Sequence, residues 1–471
     1  MTGPLHFEIY LLGMNLVFVF LSFFKKISVG AVRYVALGSS GLAILLAFIN
    51  LHVQGHFFYE SFQVDFYSQF LKLILAIGFF AVIFLSKNIP GIREDETPEF
   101  FLFLSSSFLG MSVLVSSVNF LLFYVALELS SYSLYLLIPM RRNISENQEA
   151  SLKYFLFGAI ASGLMLYGLG FLYGISGSLQ FSQVFQPQTL SAQSPLLLIG
   201  LFLAVGGLFY KLAIVPFHFW APDVYEETPP SLAAFISTLS KLAGIAVLLR
   251  FFAFSQGQWD LLNIVLITLA VITMTWGNLA AIRQRDAKRM LAYSSISQVG
   301  YLLLGVLAWG SNGYISVIYY TIVYMIMNLG AFLVVSRLSQ EGRDPKLEDF
   351  QGLAKRSPFL AFIFLLSVFS LAGIPPLAGF TGKWILFKSA LDAGFPFLVI
   401  WAMINSTISL YYYLTFVKEA YMKEPVPGKN AVTLRFSEQV AGFLILLSVL
   451  FLGIYPTPLY RLVEAAVGKL S

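Results

Sequence analysis

Four ionisable residues lie inside long apolar segments, where a charge has little water around it. Glu128 lies in FYVALELSSYSLYLL, Lys211 in GGLFYKLAIVPF and Lys241 in FISTLSKLAGIAVLL, and Lys383 follows in SLAGIPPLAGFTGKWILF. Burial disfavours the charged form of an amine and a neighbouring carboxylate favours it, so a buried lysine is able to take up and release a proton. Arginine stays protonated and is less suited to this role. These residues therefore predict proton transfer.

The energetic cost of such charges favours a functional interpretation. A charge at the centre of a bilayer costs about 2.5–3.5 kcal/mol on insertion scales. The alternative is a set of buried salt bridges that only hold helices together. One glutamate does not neutralise three lysines, so at least two of these amines need hydrated surroundings or must lose their proton easily.

Three other lysines lie in apolar segments but closer to their ends. Lys72 and Lys153 are near predicted helix ends, and we expect their long side chains to reach the membrane interface. For Lys388 both interpretations stay open, so it is an auxiliary candidate.

The composition excludes several classes of protein. Of the 471 residues, 58% are hydrophobic and 11% charged, whereas soluble domains have about 25% charged residues. The chain has no cysteine and four histidines, which supports neither an iron–sulfur cluster nor a haem nor a structural metal site. The net charge of +5 comes from Lys and Arg in short loops between apolar segments. This distribution is typical of membrane topology and not of a nucleic-acid-binding surface.

Apolar segments of about 20 residues predict an all-α membrane protein with about fourteen spanning helices. No basic segment precedes the first apolar run near Phe7, so we interpret it as span 1 and not as a cleavable signal peptide. The predicted spans are 7–24, 34–51, 66–86, 99–116, 119–138, 152–174, 196–224, 230–251, 261–281, 290–308, 314–336, 358–391, 397–417 and 438–456.

The basic residues predict the orientation. Most of them lie in the loops that follow odd-numbered spans, whereas the loops after even-numbered spans have essentially none apart from Arg250 at a helix end. The positive-inside rule then places the basic loops in the cytoplasm and both termini outside, on the periplasmic side of the cell (inner) membrane.

Prolines interrupt spans 7 and 12. Pro216 in the first and Pro375–Pro376 in the second each remove a backbone hydrogen bond and clash with the preceding turn. The two breaks are five helices apart, so a second copy of a five-helix unit enters the membrane inverted. We predict that spans 4–8 and 9–13 form inverted repeats, a pattern that marks a transport site. Two unrelated proline kinks are the alternative. The predicted units are 1–97, 98–255, 256–420 and 421–471.

Further polar residues have two interpretations each. His218 lies just past the first break, as either a proton-transfer group or a hydrogen-bonded core residue. Asp223, Glu226 and Glu227 form either a proton-uptake funnel or a solvated turn. A further set of polar residues either lines a chain of water molecules or forms hydrogen bonds between helices. They are Ser294, Ser295, Ser297, Gln298, Asn328 and Asn405.

Three segments resemble a known family. They are FYKLAIVPFHFWAPDVYEETPPSLAAFISTLSKLAGIAVLLR, NLAAIRQRDAKRMLAYSSISQVGYLLLG and SLAGIPPLAGFTGKW. From about Phe66 to Tyr455 the chain resembles the antiporter-like membrane subunits of respiratory complex I. The likeness is best to the subunit N type of the bacterial NADH:quinone oxidoreductase, whose relatives are subunit 2 of the mitochondrial and plastid complexes.

The resemblance implies roles for the ionisable residues. Glu128 and Lys211 correspond to the family's paired acid and base, Lys241 to its central lysine, and Lys383 to the lysine of the second broken helix. Related subunits often have histidine where this chain has Gln298, which does not titrate. A proton step there would have to pass through water.

The resemblance also implies a setting. The chain would be a non-redox subunit of a proton-translocating enzyme, with no cofactor of its own. NADH, FMN, iron–sulfur clusters and quinone would be bound by partner subunits, and the partners would be the other membrane and peripheral subunits and the lipid bilayer, with no nucleic acid. The alternatives are a subunit of a multisubunit Na⁺/H⁺ antiporter of the same ancestry, or a scaffold without transport.

Overall fold

A computed structural model describes residues 5–24, 27–87, 89–141, 147–185, 195–255, 260–339, 343–425 and 431–470. Twelve helices in this part of the chain are long and apolar enough to cross a membrane. His6–Ser22 and Pro358–Ala372 are shorter apolar helices. Together they account for the fourteen predicted spans, so the predicted fold class is confirmed.

Most spans are single helices. Spans 1 to 6 are His6–Ser22, Val29–Ile49, Phe66–Leu85, Thr97–Val115, Phe120–Leu137 and Asn147–Ser176. Spans 9, 10, 11, 13 and 14 are Asp260–Ala281, Ala287–Leu307, Ser311–Leu338, Pro396–Met422 and Phe436–Ile454. Span 2 begins before its predicted start because the Ser28 side chain caps the helix by accepting a hydrogen bond from the Ala31 amide.

Spans 7, 8 and 12 are composite. Span 7 consists of Pro195–Ala204, Gly206–Leu212 and Trp220–Glu227, and span 12 of Pro358–Ala372 and Ala378–Asp392. The predicted breaks at Pro216 and at Pro375–Pro376 are therefore confirmed, and both contain a cis X–Pro bond. Span 8 consists of Pro230–Phe235, a π-helical turn at Ile236–Ser240 and Lys241–Ser255.

The centre of the bundle is formed by spans 8, 10 and 11. Every residue from 230 to 252 is buried, and spans 10 and 11 are buried along almost their whole length. A helix that is apolar and buried on all sides has no face towards lipid. Spans 2, 6, 9, 13 and 14 instead expose large parts of their apolar surface. The central spans therefore determine what lies around any buried polar side chain.

The two breaks have the same backbone pattern, which supports the repeats. Each first half-helix ends in a left-handed residue, Ala213 with φ 58° and Gly373 with φ 90°. In each break the next amide reaches back to a carbonyl five residues earlier, Ile214 to Phe209 at 2.9 Å and Ile374 to Phe369 at 3.0 Å.

The helix pairs before the breaks also match. A Cβ on Gly110 of span 4 would lie 2.6 Å from the Ser130 amide of span 5, and one on Gly277 of span 9 would lie 2.6 Å from the Ser297 amide of span 10. Only glycine allows such a close approach of two helix backbones. The unit boundaries 1–97, 98–255, 256–420 and 421–471 stay a prediction.

Several elements outside the spans were not predicted, among them a hairpin and a helix after span 14. A hairpin of strands Gly55–Phe57 and Phe62–Val64 follows span 2. The helix Thr457–Val467 follows span 14 and buries Val463 and Ala466. Both lie at the end of the bundle opposite the basic loops, because they follow even-numbered spans.

Candidate functional site

Lys383 occupies the break of span 12. Pro375 and Pro376 have no amide hydrogen, so the carbonyls four residues earlier, at Leu371 and Ala372, lose their helical donors. The Lys383 Nζ donates to these two carbonyls at 2.9 and 3.2 Å. The break and the amine are therefore one unit, in which the ammonium replaces two missing amides.

Gln298 of span 10 joins the same unit. Its Nε2 donates to the Leu371 carbonyl at 3.2 Å, and the Tyr320 hydroxyl of span 11 donates to its Oε1. Lys383 also donates to the Ser406 hydroxyl of span 13 at 2.9 Å. The amide of Gln298 is thus linked to Lys383 through one shared carbonyl.

Replacing Gln298 by leucine tests this linkage. The variant removes one of two donors from the Leu371 carbonyl, which still accepts from Lys383, and it removes the acceptor of the buried Tyr320 hydroxyl. Each buried group left unsatisfied costs about 1–3 kcal/mol. We expect lower stability of the full-length chain in detergent, measured by denaturant titration, and a smaller loss for Gln298→Glu, which keeps an acceptor. A leucine variant as stable as the native chain would contradict the linkage.

Lys241 lies in the interior of span 8, directly after the π-helical turn Ile236–Ser240. Its Nζ donates to the backbone carbonyl of Ser295 in span 10 at 2.9 Å. Ser295 is one turn before Gln298 on that helix, so span 10 lies between Lys241 and the Lys383 unit. Single π-helical turns often occur at functional sites, and the amino-acid sequence gives no signal for this one.

Lys211 lies in the last turn of Gly206–Leu212, directly before the break of span 7. Its Nζ donates to the Ser130 hydroxyl of span 5 at 2.8 Å. Glu128, two residues away on the same span, accepts a hydrogen bond from Ser162 of span 6. The structure brings the predicted acid and base to one region through Ser130. In the described part of the chain no ion pair within 4.0 Å joins them, so the direct pairing stays a prediction.

The three amines share one property. Lys211, Lys241 and Lys383 are each at most 3% exposed, and within the described residues none of them has a carboxylate within 4.0 Å. Their recorded partners are hydroxyls and backbone carbonyls. The alternative of fixed structural salt bridges therefore does not hold for these lysines.

Of the three auxiliary candidates, Gln298 belongs to the Lys383 unit, whereas His218 and Lys388 lie apart from these contacts. His218 is buried in the break of span 7 and its ring lies 4.3 Å from that of Phe219. Lys388 is exposed at the far end of span 12, where it lines a cavity with Asp392. Among the hydrogen bonds and ion pairs of the described residues, none connects either side chain to Lys211, Lys241 or Lys383.

The prediction that Lys72 reaches the interface is wrong. Lys72 is fully buried, and its Nζ lies 2.6 Å from Oε1 of Glu8 in span 1, which also accepts from Ser112 at 3.0 Å. The reason is the unpredicted hairpin, which places the Phe62 ring 5.0 Å from the ammonium and closes this part of span 3. Lys153, in contrast, is partly exposed at a helix end and pairs with Glu149 and Asp223.

Asp223, Glu226 and Glu227 lie on the helix Trp220–Glu227 and not in a loop. Arg289 at the start of span 10 binds Asp223 at 2.6 Å and Glu226 at 2.7 Å. The charged side chains surround an open cavity of about 200 Å³. The acids are therefore an ion-paired rim, which is compatible with proton uptake but differs from the solvated turn that was the alternative.

A buried ion cluster at the basic end was not predicted. Asp344, in the loop before span 12, lies 2.7 Å from Nη1 of Arg141 and 2.8 Å from Nζ of Lys288. Both cations are fully buried, and both donate to the Thr228 carbonyl at the end of span 7. Burial raises the pKa of Asp344, but the Lys288 and Arg141 charges outweigh it and hold the pKa below its ordinary value. The carboxylate therefore stays ionised and joins Arg141, after span 5, to Lys288 of span 10, and these two cations bind the end of span 7.

Residues 117–409 match the family described as NADH:quinone oxidoreductase/Mrp antiporter, TM. This segment covers the broken span 7, spans 8 to 11 and most of the second repeat. The chain belongs to this family. A protein of Syntrophobacter fumaroxidans named NADH-quinone oxidoreductase subunit N 2 is 40% identical over 93% of each chain. These comparisons confirm the resemblance drawn from the sequence.

Two solved structures share the fold. A chain of respiratory complex I from Thermus thermophilus aligns with a TM-score of 0.83 and 32% identity over 97% of this chain and 98% of that chain. A chain of the Mrp complex from Dietzia aligns with a TM-score of 0.86 but 21% identity, over 99% of this chain and 96% of that chain. The second likeness shows the fold alone. Within the described residues no group of three or more His, Cys, Asp or Glu is placed to hold a metal ion.

Proposed function

We propose that the chain is a proton-translocating membrane-arm subunit of an NADH:quinone oxidoreductase, and that Glu128, Lys211, Lys241 and Lys383 carry the protons. The observation that supports this best is that, among the described residues, the partners of the three buried amines are hydroxyls and carbonyls and not carboxylates. A buried ammonium without a counter-ion is costly. Such an amine gains from losing its proton, which is what a relay needs.

The proposed relay follows the contacts in order. Glu128 and Lys211 exchange a proton in the region of Ser130, at the break of span 7. The proton then passes to Lys241, whose amine contacts the Ser295 carbonyl of span 10. From there it moves along span 10 to Lys383 at the break of span 12. Water bridges the intervening steps, because Gln298 does not titrate and the backbone freed at both breaks is able to order water.

We further propose that the subunit is non-redox. The chain has no cysteine for an iron–sulfur cluster. NADH, FMN, the iron–sulfur clusters and the quinone would be bound by partner subunits, and the electron transfer there would drive proton movement here. The likeness to a chain of Thermus thermophilus complex I supports membrane and peripheral subunits of that complex as the partners.

For orientation, we propose that the basic end of the bundle faces the cytoplasm and that both termini lie on the periplasmic side of the inner membrane. The asymmetric loop charges support this. Protons would then enter near the ion-paired rim of Asp223, Glu226 and Arg289. Reactivity of single cysteines with a membrane-impermeant reagent, placed at Lys355 and at Arg461, tests the orientation in intact cells.

Substitution of Glu128 tests the relay at its acid. We expect Glu128→Ala and Glu128→Gln to lower NADH-driven proton translocation in membrane vesicles several-fold, because neither side chain takes up and releases a proton. Glu128→Asp should lose less. Ser162→Ala is the matched control, since it removes the recorded hydrogen bond to Glu128 but no titratable group. Translocation at the native level in the glutamine variant would contradict the proposed role of Glu128.

The ion itself is tested in the same vesicles. A proton relay predicts that acidification continues in Na⁺-free buffer and that a sodium gradient alone drives little proton movement. If translocation requires Na⁺ and does not require NADH, the chain is instead a subunit of a Na⁺/H⁺ antiporter.

A further inference from the structure

A polar cavity of about 460 Å³ lies at the basic end of the bundle, and its lining does not include Lys211, Lys241 or Lys383. It opens between the start of span 2, the end of span 3 and the start of span 4. Val29, Ile92 and Phe101 contribute apolar wall. Its polar lining is formed by Arg33, Lys87, Glu94, Ser86, Thr97 and Ser339. The helix ends place it at the level where lipid headgroups meet water.

Both cations of the cavity have hydrogen-bond donors to spare. The hydrogen bond recorded for Arg33 joins Nη2 to the Phe84 carbonyl at 3.5 Å, which is long, and its buried Nε has no partner in the described chain. The Lys87 Nζ lies 3.8 Å from one oxygen of Glu438. The other oxygen of that carboxylate binds Arg337. Buried donors normally have an acceptor. Lys87 is paired only loosely and the buried Arg33 Nε has no acceptor among the described residues, so an anion entering the cavity would satisfy both cations.

Glu94, the third charged residue of the cavity, limits which anionic ligand fits there. Glu94 is exposed at the edge of the cavity, and none of the ion pairs among the described residues includes it. A phosphate suits Arg33 and Lys87, while an ammonium suits Glu94. Tyr34, which follows Arg33 in span 2, is exposed, and an acyl chain would lie along its ring.

We propose that this cavity binds phosphatidylethanolamine from the leaflet at the basic end, with the phosphate between Arg33 and Lys87 and the amine at Glu94. Basic pockets between membrane helices are known sites for lipid headgroups. A lipid with an anionic headgroup and no amine would meet the same two cations but be repelled by Glu94. The cavity therefore selects a zwitterionic headgroup.

The test is lipid retention by the full-length chain in detergent containing equal amounts of phosphatidylethanolamine and phosphatidylglycerol, measured by native mass spectrometry. We expect preferential retention of phosphatidylethanolamine. Arg33→Gln and Lys87→Gln should each lower it about five-fold, whereas Arg33→Lys keeps the charge and should retain most of it. Lys355→Gln removes an exposed lysine outside the cavity and serves as the matched control.

Glu94→Gln is the decisive variant, because it should shift the preference towards phosphatidylglycerol while total lipid retention persists. A native chain that prefers phosphatidylglycerol, or a Glu94 variant with unchanged preference, would overturn the proposal. Displacement of the lipid by inorganic phosphate would show a site for free anions instead. The intact complex must also retain the lipid when purified; if a neighbouring subunit fills the cavity there, the proposal is wrong.

Discussion

Replacing Lys241 by alanine is expected to lower NADH-driven proton translocation at least about tenfold, since a positioned proton-transfer group typically contributes two orders of magnitude or more. The same result is expected for Lys383→Ala. Both amines are buried and donate to backbone carbonyls, and among the described residues no titratable side chain is hydrogen-bonded to either amine and could replace the lost step. The measurement is acidification of membrane vesicles after addition of NADH.

Arginine at either position separates proton transfer from charge. Lys241→Arg and Lys383→Arg keep a cation that donates to the Ser295 or Leu371 carbonyl, but arginine does not release its proton. We therefore expect the arginine variants to fail as the alanine variants do. Translocation near the native level with arginine would show that the positive charge is sufficient and that no proton passes through the side chain.

Assembly is the necessary control for both lysines. The amount of the chain in the purified complex, and NADH oxidation with an artificial electron acceptor, should stay near native in all variants. Lys355→Ala, at an exposed lysine paired with Glu424, should leave translocation unchanged. If both alanine variants assemble and translocate protons normally, the subunit is a scaffold and the buried lysines have no transport role.

Much of the fold was predictable because membrane insertion imposes simple rules. A spanning helix needs a long apolar segment, and a proline removes an amide wherever it lies, so the spans and both breaks follow from the sequence. The contact of Lys383 with the Leu371 and Ala372 carbonyls was also within reach. These carbonyls are four residues before Pro375 and Pro376. Because prolines have no amide hydrogen, this spacing leaves the two carbonyls without their helical donors.

Other parts of the site depend on packing that no periodicity encodes. The π-helical turn before Lys241 arises where span 8 is enclosed on all sides, and nothing in ISTLS distinguishes it from an α-helix. The burial of Lys72 depends on a hairpin that covers span 3. The sequence does contain a signal for the pair of Lys72 with Glu8. Glu8 is an acid within the first apolar segment and needs a partner if it is buried.

Gln298 shows how a departure from the family pattern is accommodated. A histidine at this position would titrate, whereas the glutamine amide donates to the Leu371 carbonyl and accepts from Tyr320. It therefore fixes the geometry around Lys383 without carrying a proton. From the sequence, only the loss of a titratable group was predictable.

The buried cluster at the basic end gives the largest expected effect on stability. Asp344→Asn removes the carboxylate that faces Arg141 and Lys288, which are both fully buried. Breaking a buried ion pair on one side typically costs about 3–5 kcal/mol because the remaining charge is uncompensated. We expect a loss of about this size in the free energy of unfolding of the full-length chain, measured by denaturant titration in mixed micelles.

A double variant separates the effect of the uncompensated buried charge from the effect of the lost hydrogen bonds. The double variant with Asp344→Asn and Lys288→Met contains one buried cation fewer, so it should recover part of the stability that the single variant loses. Asp95→Asn removes a carboxylate from an exposed pair with Arg93 and should leave the stability almost unchanged. A double variant less stable than Asp344→Asn alone would mean that Lys288 stabilises the chain through the Thr228 carbonyl at the end of span 7, and that charge balance is not what Asp344 provides.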